Sequence, residues 1–274
     1  MRRISARAEV FVKQLDALKT TRCRQRVADD VRVADNGERR VHLDIQEEAH
    51  VSLGVPQAKG DSMFVKQFRT GGDRNFGYLV ADEATKHAAV VDPSYSPEKI
   101  VAFARENGYT IIYVFNTHGD YDHTNGNTAI ERLTHKSALG FGDTEAQNQV
   151  TIADSARLPL GELEIQIIHT PGHTQDSICI HVGDALFTGD TLFVGKVGGT
   201  DLGEQARVEY DSLRKLLQLS EDTKVFPGHD YGTASQSTLA HEKSTNPFLL
   251  QPDFESFVHL KKTWTEYKKA HGIK

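Results

Sequence analysis

Thr117-His118-Gly119-Asp120-Tyr121-Asp122-His123 is the stretch on which the reading of this chain turns. From His118 on, it packs two imidazoles and two carboxylates into six residues, directly after the apolar run Ile111-Ile112-Tyr113-Val114-Phe115. A short apolar run of this kind reads as a buried strand. The four side chains therefore lie on the loop leaving a strand end, where α/β proteins commonly place their chemistry. Three Gly-marked turns follow downstream and add His173 in His169-Thr-Pro-Gly-His173, Asp190 in Phe187-Thr-Gly-Asp190 and His229 in Val225-Phe-Pro-Gly-His229. A lone His-x-Asp pair on a loop is usually ordinary polar surface. Four strand-end turns spread over more than a hundred residues point instead to a metal site, with two metals expected.

Neutral imidazole suits Zn, Fe and Mn, and carboxylate adds charge and suits harder ions. His118 and Asp120 are two apart and point the same way from an extended loop. Asp122 and His123 are adjacent, so a turn can send them toward a second ion. Asp190, alone after Gly189, is the candidate bridge.

Outward from these turns the chain reads as alternating strands and helices. Strands are expected at Met63–Phe68, Phe76–Ala81, Ala88–Asp92, Thr110–Asn116, Glu162–His169, Ser177–Val182, Ala185–Thr188 and Lys224–Phe226. Helices are expected at Pro97–Asn107 with Ser96 as N-cap, and at Thr124–Thr134, Arg207–Leu219, Ser237–Ser244 and Phe254–His271. Strands cluster, a helix intervenes, and the order repeats. This predicts an α+β fold in which two sheets face each other with helices outside, a four-layer αββα sandwich. Residues 1–62 are Arg-rich and mixed in charge. They read as an N-terminal extension, an arm or a stretch outside the native chain, with an amphipathic helix possible only over Val10–Leu18. The functional domain is expected over residues 63–274.

Composition excludes several classes. The 274 residues carry a net charge of −6, which argues against a nucleic-acid partner. No apolar stretch approaches a membrane span, and no secretory h-region is visible. Cys23 and Cys179 sit in unlike settings, so no disulfide framework is expected and a reducing, cytoplasmic location follows. Five of the thirteen histidines fall in the turns above. Others, such as His135, read as ordinary. Oligomeric state is left open, a homodimer included.

The region from Met63 to about Leu250 resembles the metallo-β-lactamase superfamily, whose signature is His-x-His-x-Asp-His followed by a His, an Asp and a His. It is most similar to the glyoxalase II-like (hydroxyacylglutathione hydrolase-like) and persulfide dioxygenase branches. His169-Thr-Pro-Gly-His173-Thr, Phe187-Thr-Gly-Asp190-Thr-Leu-Phe193 and Pro227-Gly-His229-Asp230-Tyr231 carry that likeness, as does the tail Ser237-Thr238…Glu242-Lys243…Asn246-Pro247. The resemblance implies one site from His118, Asp120 and His173, a second from Asp122, His123 and His229, and Asp190 between them. It implies two divalent ions (Zn, Fe or Mn) and hydrolysis of a small-molecule thioester or ester, with Asp122 orienting the nucleophile. The alternative is a dioxygenase acting on a persulfide with a single iron held by His118, His173 and Asp190.

Three departures from the family pattern stand out. Asp120 occupies a position that is usually His, which favours iron or manganese. Gly199 stands where the two branches carry a basic residue; Lys196, three residues earlier, is a candidate substitute, weighed against a plain solvated loop lysine. Little chain follows Pro247, so the helical glutathione-binding domain of glyoxalase II is not expected. Tyr231 is a second candidate substrate contact, and Asp230 a candidate partner for a ligating imidazole.

Overall fold

A computed structural model describes residues 63–272. The expected extension over residues 1–62, its helix at Val10–Leu18 and Cys23 lie outside the described residues.

Two sheets form the centre. The first contains β1 (Met63–Gly71), β2 (Asn75–Asp82), β3 (His87–Val91), β4 (Thr110–Phe115) and β5 (Ala138–Leu139) in that spatial order. β1, β2 and β3 pair antiparallel, while β3, β4 and β5 run parallel. The hairpin β6 (Thr144–Glu145) and β7 (Val150–Thr151) leads to the second sheet. That sheet takes β8 (Arg157–Leu160), β9 (Leu163–His169), β10 (Ile178–Val182), β11 (Ala185–Gly189), β14 (Lys224–Pro227) and β15 (Ser237–Thr238), ordered β15-β14-β11-β10-β9-β8. A small ribbon, β12 (Leu192–Phe193) with β13 (Lys196–Val197), stands apart.

Strand alternation builds the layers. Tyr78 and Val80 of β2 face inward to meet Ile165, Ile167, Ile180, Phe187 and Phe226 of the second sheet in one buried core. Leu79 and Ala81 face the other way, against Ile100, Val101 and Ala104 of α1 (Pro97–Glu106) and Ile130 of α3 (Asn127–Thr134). On the far side, Cys179, Leu186 and Val225 meet Leu213 and Leu216 of α4 (Glu204–Leu216), Leu239 of α5 (Leu239–Thr245), and Phe257 and Leu260 of α6 (Phe254–Lys262). Side chains two apart share a sheet face, so each strand serves two cores. The predicted αββα sandwich is the observed architecture, and Cys179 is a buried core residue as expected.

Several element boundaries need correction. Ser96 does not cap α1 with its side chain; its Oγ donates to the Thr70 carbonyl, pinning the helix start to the first sheet. The Thr124–Thr134 helix is two pieces, the single turn α2 (Tyr121–Thr124) and α3, with Gly126 as the α3 N-cap. A Cβ on Gly126 would meet the Ser94 carbonyl oxygen at 2.1 Å, so the chain bends where only glycine fits. The Arg207–Leu219 helix runs three residues earlier, over Glu204–Leu216. Ser237 and Thr238 form β15, and the Thr238 side chain caps the helix that follows. The terminal helix breaks at Thr263 into α6 and α7 (Trp264–His271).

β9 and β11 both pair antiparallel with β10, and β14 runs parallel to β11. The carboxyl ends of β9, β11 and β14 therefore emerge at one edge. Backbone bonds at that edge join the two sheets: Ile178 N donates to Thr117 O at 2.8 Å and Phe76 N to Gly228 O at 2.8 Å. No helix among the described residues is long and apolar enough to cross a membrane.

Candidate metal centre

All seven predicted side chains converge at this edge. Their donor atoms form the sets His118, Asp120 and His173; Asp122, His123 and His229; and His118, His123 and Asp190, each closed within 4.8 Å. Asp190 sits between the first two sets. Its Oδ1 lies 3.3 Å from His123 Nε2 and 3.4 Å from His229 Nε2, and its Oδ2 lies 3.8 Å from His173 Nε2. Asp120 Oδ2 is 3.5 Å from His118 Nε2 and 3.3 Å from His173 Nε2. As the N-cap of α2, Asp120 makes no capping bond, so its half-exposed carboxylate is left facing the two rings.

The four imidazoles share one tautomer, and the reason is visible in their outer partners. His173 Nδ1 faces the Gly199 carbonyl at 2.6 Å and His229 Nδ1 the Asp73 carbonyl at 2.8 Å. His123 Nδ1 faces Asp92 Oδ2 at 3.0 Å. Carbonyl and carboxylate oxygens only accept, so each Nδ1 carries the proton. Thr117 Oγ1 gives its hydrogen to Asp92 Oδ2 at 2.8 Å and is thereby free to accept from His118 Nδ1 at 3.1 Å. Every Nε2 lone pair then points inward, as ligating histidines require.

That inward set is unsatisfied by protein. His118 Nε2, His173 Nε2 and Asp190 Oδ1 are buried without a hydrogen-bond partner. His123 Nε2 and His229 Nε2 face each other at 3.2 Å. Buried orphan acceptors are costly, and converging ones are relieved by a cation. Electrostatics agree. Burial would raise the Asp190 carboxyl, yet the His123 and His229 imidazoles beside it hold it well below the usual carboxylate range. Burial would depress His123, but Asp92 and Asp190 lift it well above an ordinary histidine. The pocket stabilises positive charge, and its nitrogen and oxygen donors are of the kind that hold divalent metal.

Tight backbone makes this possible. Gly189 sits at φ +48°, and a Cβ there would meet Thr117 Oγ1 at 2.4 Å. A Cβ on Gly228 would meet Asp190 Oδ1 at 2.5 Å.

Sequence reasoning missed the supporting residues. Asp92 holds His123 and also accepts Thr117 N at 2.8 Å. Asn75 Nδ2 donates to Asp122 Oδ2 at 2.9 Å, and Ser94 Oγ donates to the Asp122 carbonyl. Asp92 ends the apolar run Ala88–Val91, so the strand-end signal that flagged the ligand loop also marks it. Asp230 does not support an imidazole; it pairs with Arg69, and the Asp73 carbonyl serves His229 instead.

Lys196 and Tyr231 come together beside the centre. The Tyr231 ring stacks on His229 at 4.6 Å between centroids, with an interplanar angle of 5°, and its hydroxyl donates to Asp73 Oδ2 at 2.7 Å. Lys196 Nζ lies 4.5 Å from the Tyr231 ring centroid and 5.3 Å from that of Phe193. It is therefore no freely solvated lysine. Burial, with the neighbouring Lys268 charge adding to it, lowers its pKa.

The family model of the metallo-beta-lactamase superfamily matches residues 70–145 and 132–229, which hold all seven side chains. The chain belongs to the metallo-β-lactamase superfamily. Hydroxyacylglutathione hydrolase of Rhodospirillum rubrum is 41% identical over 162 residues, covering 57% of this chain and 62% of that protein. Hydroxyacylglutathione hydrolase of Thermosynechococcus vestitus is 35% identical over 183 residues, covering 64% of this chain and 71% of that protein. Among solved structures, ETHE1 from Myxococcus xanthus matches with a TM-score of 0.66 at 32% identity, covering 73% of this chain and 91% of that one.

Proposed function

We propose that this superfamily member is a metal-dependent hydrolase of small-molecule thioesters or esters, of the hydroxyacylglutathione hydrolase type. The observation that carries the reading is the convergence of four inward Nε2 lone pairs and two further carboxylates around Asp190. In it, His118, Asp120 and His173 would hold one divalent ion and Asp122, His123 and His229 a second, with Asp190 available to both. Zinc, iron or manganese suits such nitrogen and oxygen donors. When bound, a divalent ion pair supplies hydroxide near neutral pH and polarises the substrate carbonyl.

The chain's own residues do the rest. Asp122, fixed by Asn75, presents a carboxylate that can accept a hydrogen bond from the attacking water and aim it. A thiolate leaving group needs little acid assistance, its pKa being about 8.5, which fits a site where no general acid stands out among the described residues. Lys196 and Tyr231 form one wall beside His229, where an ammonium and a phenol suit a polar, anionic acyl-thiol. The absence of a basic side chain at Gly199 leaves this wall to Lys196. A cytoplasmic site of action accompanies the reading.

A second reading, a persulfide dioxygenase with one iron on His118, His173 and Asp190, is favoured by the likeness to ETHE1 and by Asp120, half-exposed and free to stay off the metal. Purification without added metal, followed by metal analysis, thioester-hydrolysis and oxygen-uptake assays, decides between them. Two metals per chain with thioester turnover supports the hydrolase. One iron per chain with oxygen consumed on a persulfide overturns it.

A further inference from the structure

Behind the His173 turn lies a buried ion pair that the chemistry above does not use. Lys261 of α6 and Glu209 of α4 are bonded, with side chains only 6% and 1% exposed. Burying such a pair costs desolvation that its attraction repays only with good geometry, and apolar replacements are often as stable. Stability alone is thus a weak account of it, and its surroundings suggest another.

Lys261 Nζ donates a second hydrogen bond, to the Gly198 carbonyl at 2.9 Å. Gly198 is wedged against the centre: a Cβ there would lie 2.0 Å from the Asp190 carbonyl oxygen and 3.2 Å from His173 Cβ. The next carbonyl, Gly199 O, is the one that receives His173 Nδ1–H. Thr200 Oγ1 then donates to Gly172 O at 2.9 Å. Glu209 closes the frame from behind, since a Cβ on Gly172 would lie 2.4 Å from Glu209 Cβ. Ser212, on the same helix, donates to Pro171 O at 2.7 Å. The turn that carries His173 is held on one side by α4 and on the other by the 198–200 loop. Among the described residues, Lys261 is the side chain that ties that loop to α6.

We propose that Lys261 is a positioning residue for the metal centre: seated by Glu209, its ammonium fixes the Gly198–Gly199 peptide, which holds His173 in the Nδ1–H tautomer with Nε2 aimed at Asp120 and Asp190. This rests on the metal-centre reading above. Helix α6 thereby reaches the His118–Asp120–His173 site without touching a ligand, and leaves the Asp122–His123–His229 site alone. Groups that orient ligating histidines typically contribute 10- to 100-fold in metal affinity.

The test compares wild type with Lys261→Met, with Glu209→Gln/Lys261→Met and with His173→Ala. Each metal-free protein is titrated with zinc(II) against a chromophoric chelator, and the His173 tautomer is read from long-range ¹H–¹⁵N spectra. Lys261→Met leaves a buried carboxylate unpaired and risks the fold; the double variant removes both charges at similar volume and carries the test. The binding step lost in His173→Ala should weaken about 10-fold or more in the double variant, the other step should stay unchanged, and His173 should populate both tautomers. A folded double variant with wild-type zinc affinity at both steps and a fixed Nδ1–H tautomer overturns the proposal. Failure of wild type to bind zinc defeats the metal-centre reading instead, and the tautomer spectra still judge the clamp on their own.

Discussion

Gly228→Ala isolates how tightly the centre is packed. Gly228 joins β14 to His229, and its backbone is not in the left-handed region, so alanine brings no conformational penalty there. The effect is one of contact. The new Cβ would lie 2.5 Å from Asp190 Oδ1, 2.9 Å from His123 Cε1 and 3.0 Å from the Gly189 carbonyl carbon. Comfortable carbon contacts begin at about 3.5 Å, so the carboxylate or the turn must move by roughly 1 Å. Asp190 Oδ1 now stands 3.3 Å and 3.4 Å from the two facing Nε2 atoms, and metal–ligand distances tolerate only about 0.2 Å. Forcing a methyl group into packed structure costs about 1–3 kcal/mol. For a domain of this size that lowers Tm by roughly 2–12 °C. Misplacement on the order of 1 Å costs about 100-fold in rate. Metal content after purification, thermal unfolding by circular dichroism and thioester turnover give three readouts. Gly140→Ala is the control, because the nearest atom to its new Cβ is Asp143 Oδ2 at 3.8 Å; it should keep wild-type stability. Full metal content and turnover in Gly228→Ala would refute the placement of Asp190 between the two sites.

Asp120→His replaces a carboxylate 3.3 Å from His173 Nε2 by a softer donor, and should raise the zinc-to-iron ratio of purified protein; an unchanged ratio would put Asp120 outside the coordination sphere. His173→Ala and Asp190→Ala should each lose metal and abolish turnover. His135→Ala should do neither, costing at most about 1–2 kcal/mol because His135 closes α3 in the left-handed region. Glu209 supplies a pH dependence. Burial, opposed by Lys261, pushes its carboxyl up to about 7, against roughly 4.3 in the unfolded chain. The folded state keeps the proton longer, so its contribution is full below about pH 4.3 and is lost as pH rises through about 7. Between those limits wild type should lose on the order of 3 kcal/mol relative to Glu209→Gln/Lys261→Met in urea unfolding; parallel stability curves would remove the buried titration.

The seven candidate ligands were legible in the sequence because they lie in turns at the ends of apolar strands, and Asp120, His173, Asp190 and His229 each directly follow a glycine. The layers were legible for a related reason: alternation in β2, β10 and β11 assigns successive side chains to different cores. What escaped had a weak local signal or none. β8 contains Pro159 and only four residues, and β5 has two; both exist by pairing with β9 and β4. The break at Gly126 depends on a tertiary neighbour, the Ser94 carbonyl, rather than on helix periodicity. Asp92 and Asn75 look like strand-end polar residues until the fold brings His123 and Asp122 against them. Asp230 looked placed for an imidazole because it follows His229, yet Arg69 on β1 draws it away.

Crystals of the protein soaked with a divalent transition metal, with anomalous maps collected at its absorption edge, test the metal centre most directly. Two peaks are predicted, roughly 3.5–4 Å apart: one bounded by His118, Asp120 and His173, the other by Asp122, His123 and His229, with Asp190 touching both. A fully soaked crystal with no peak against Asp190, or with its only peak elsewhere on the surface, would contradict the account.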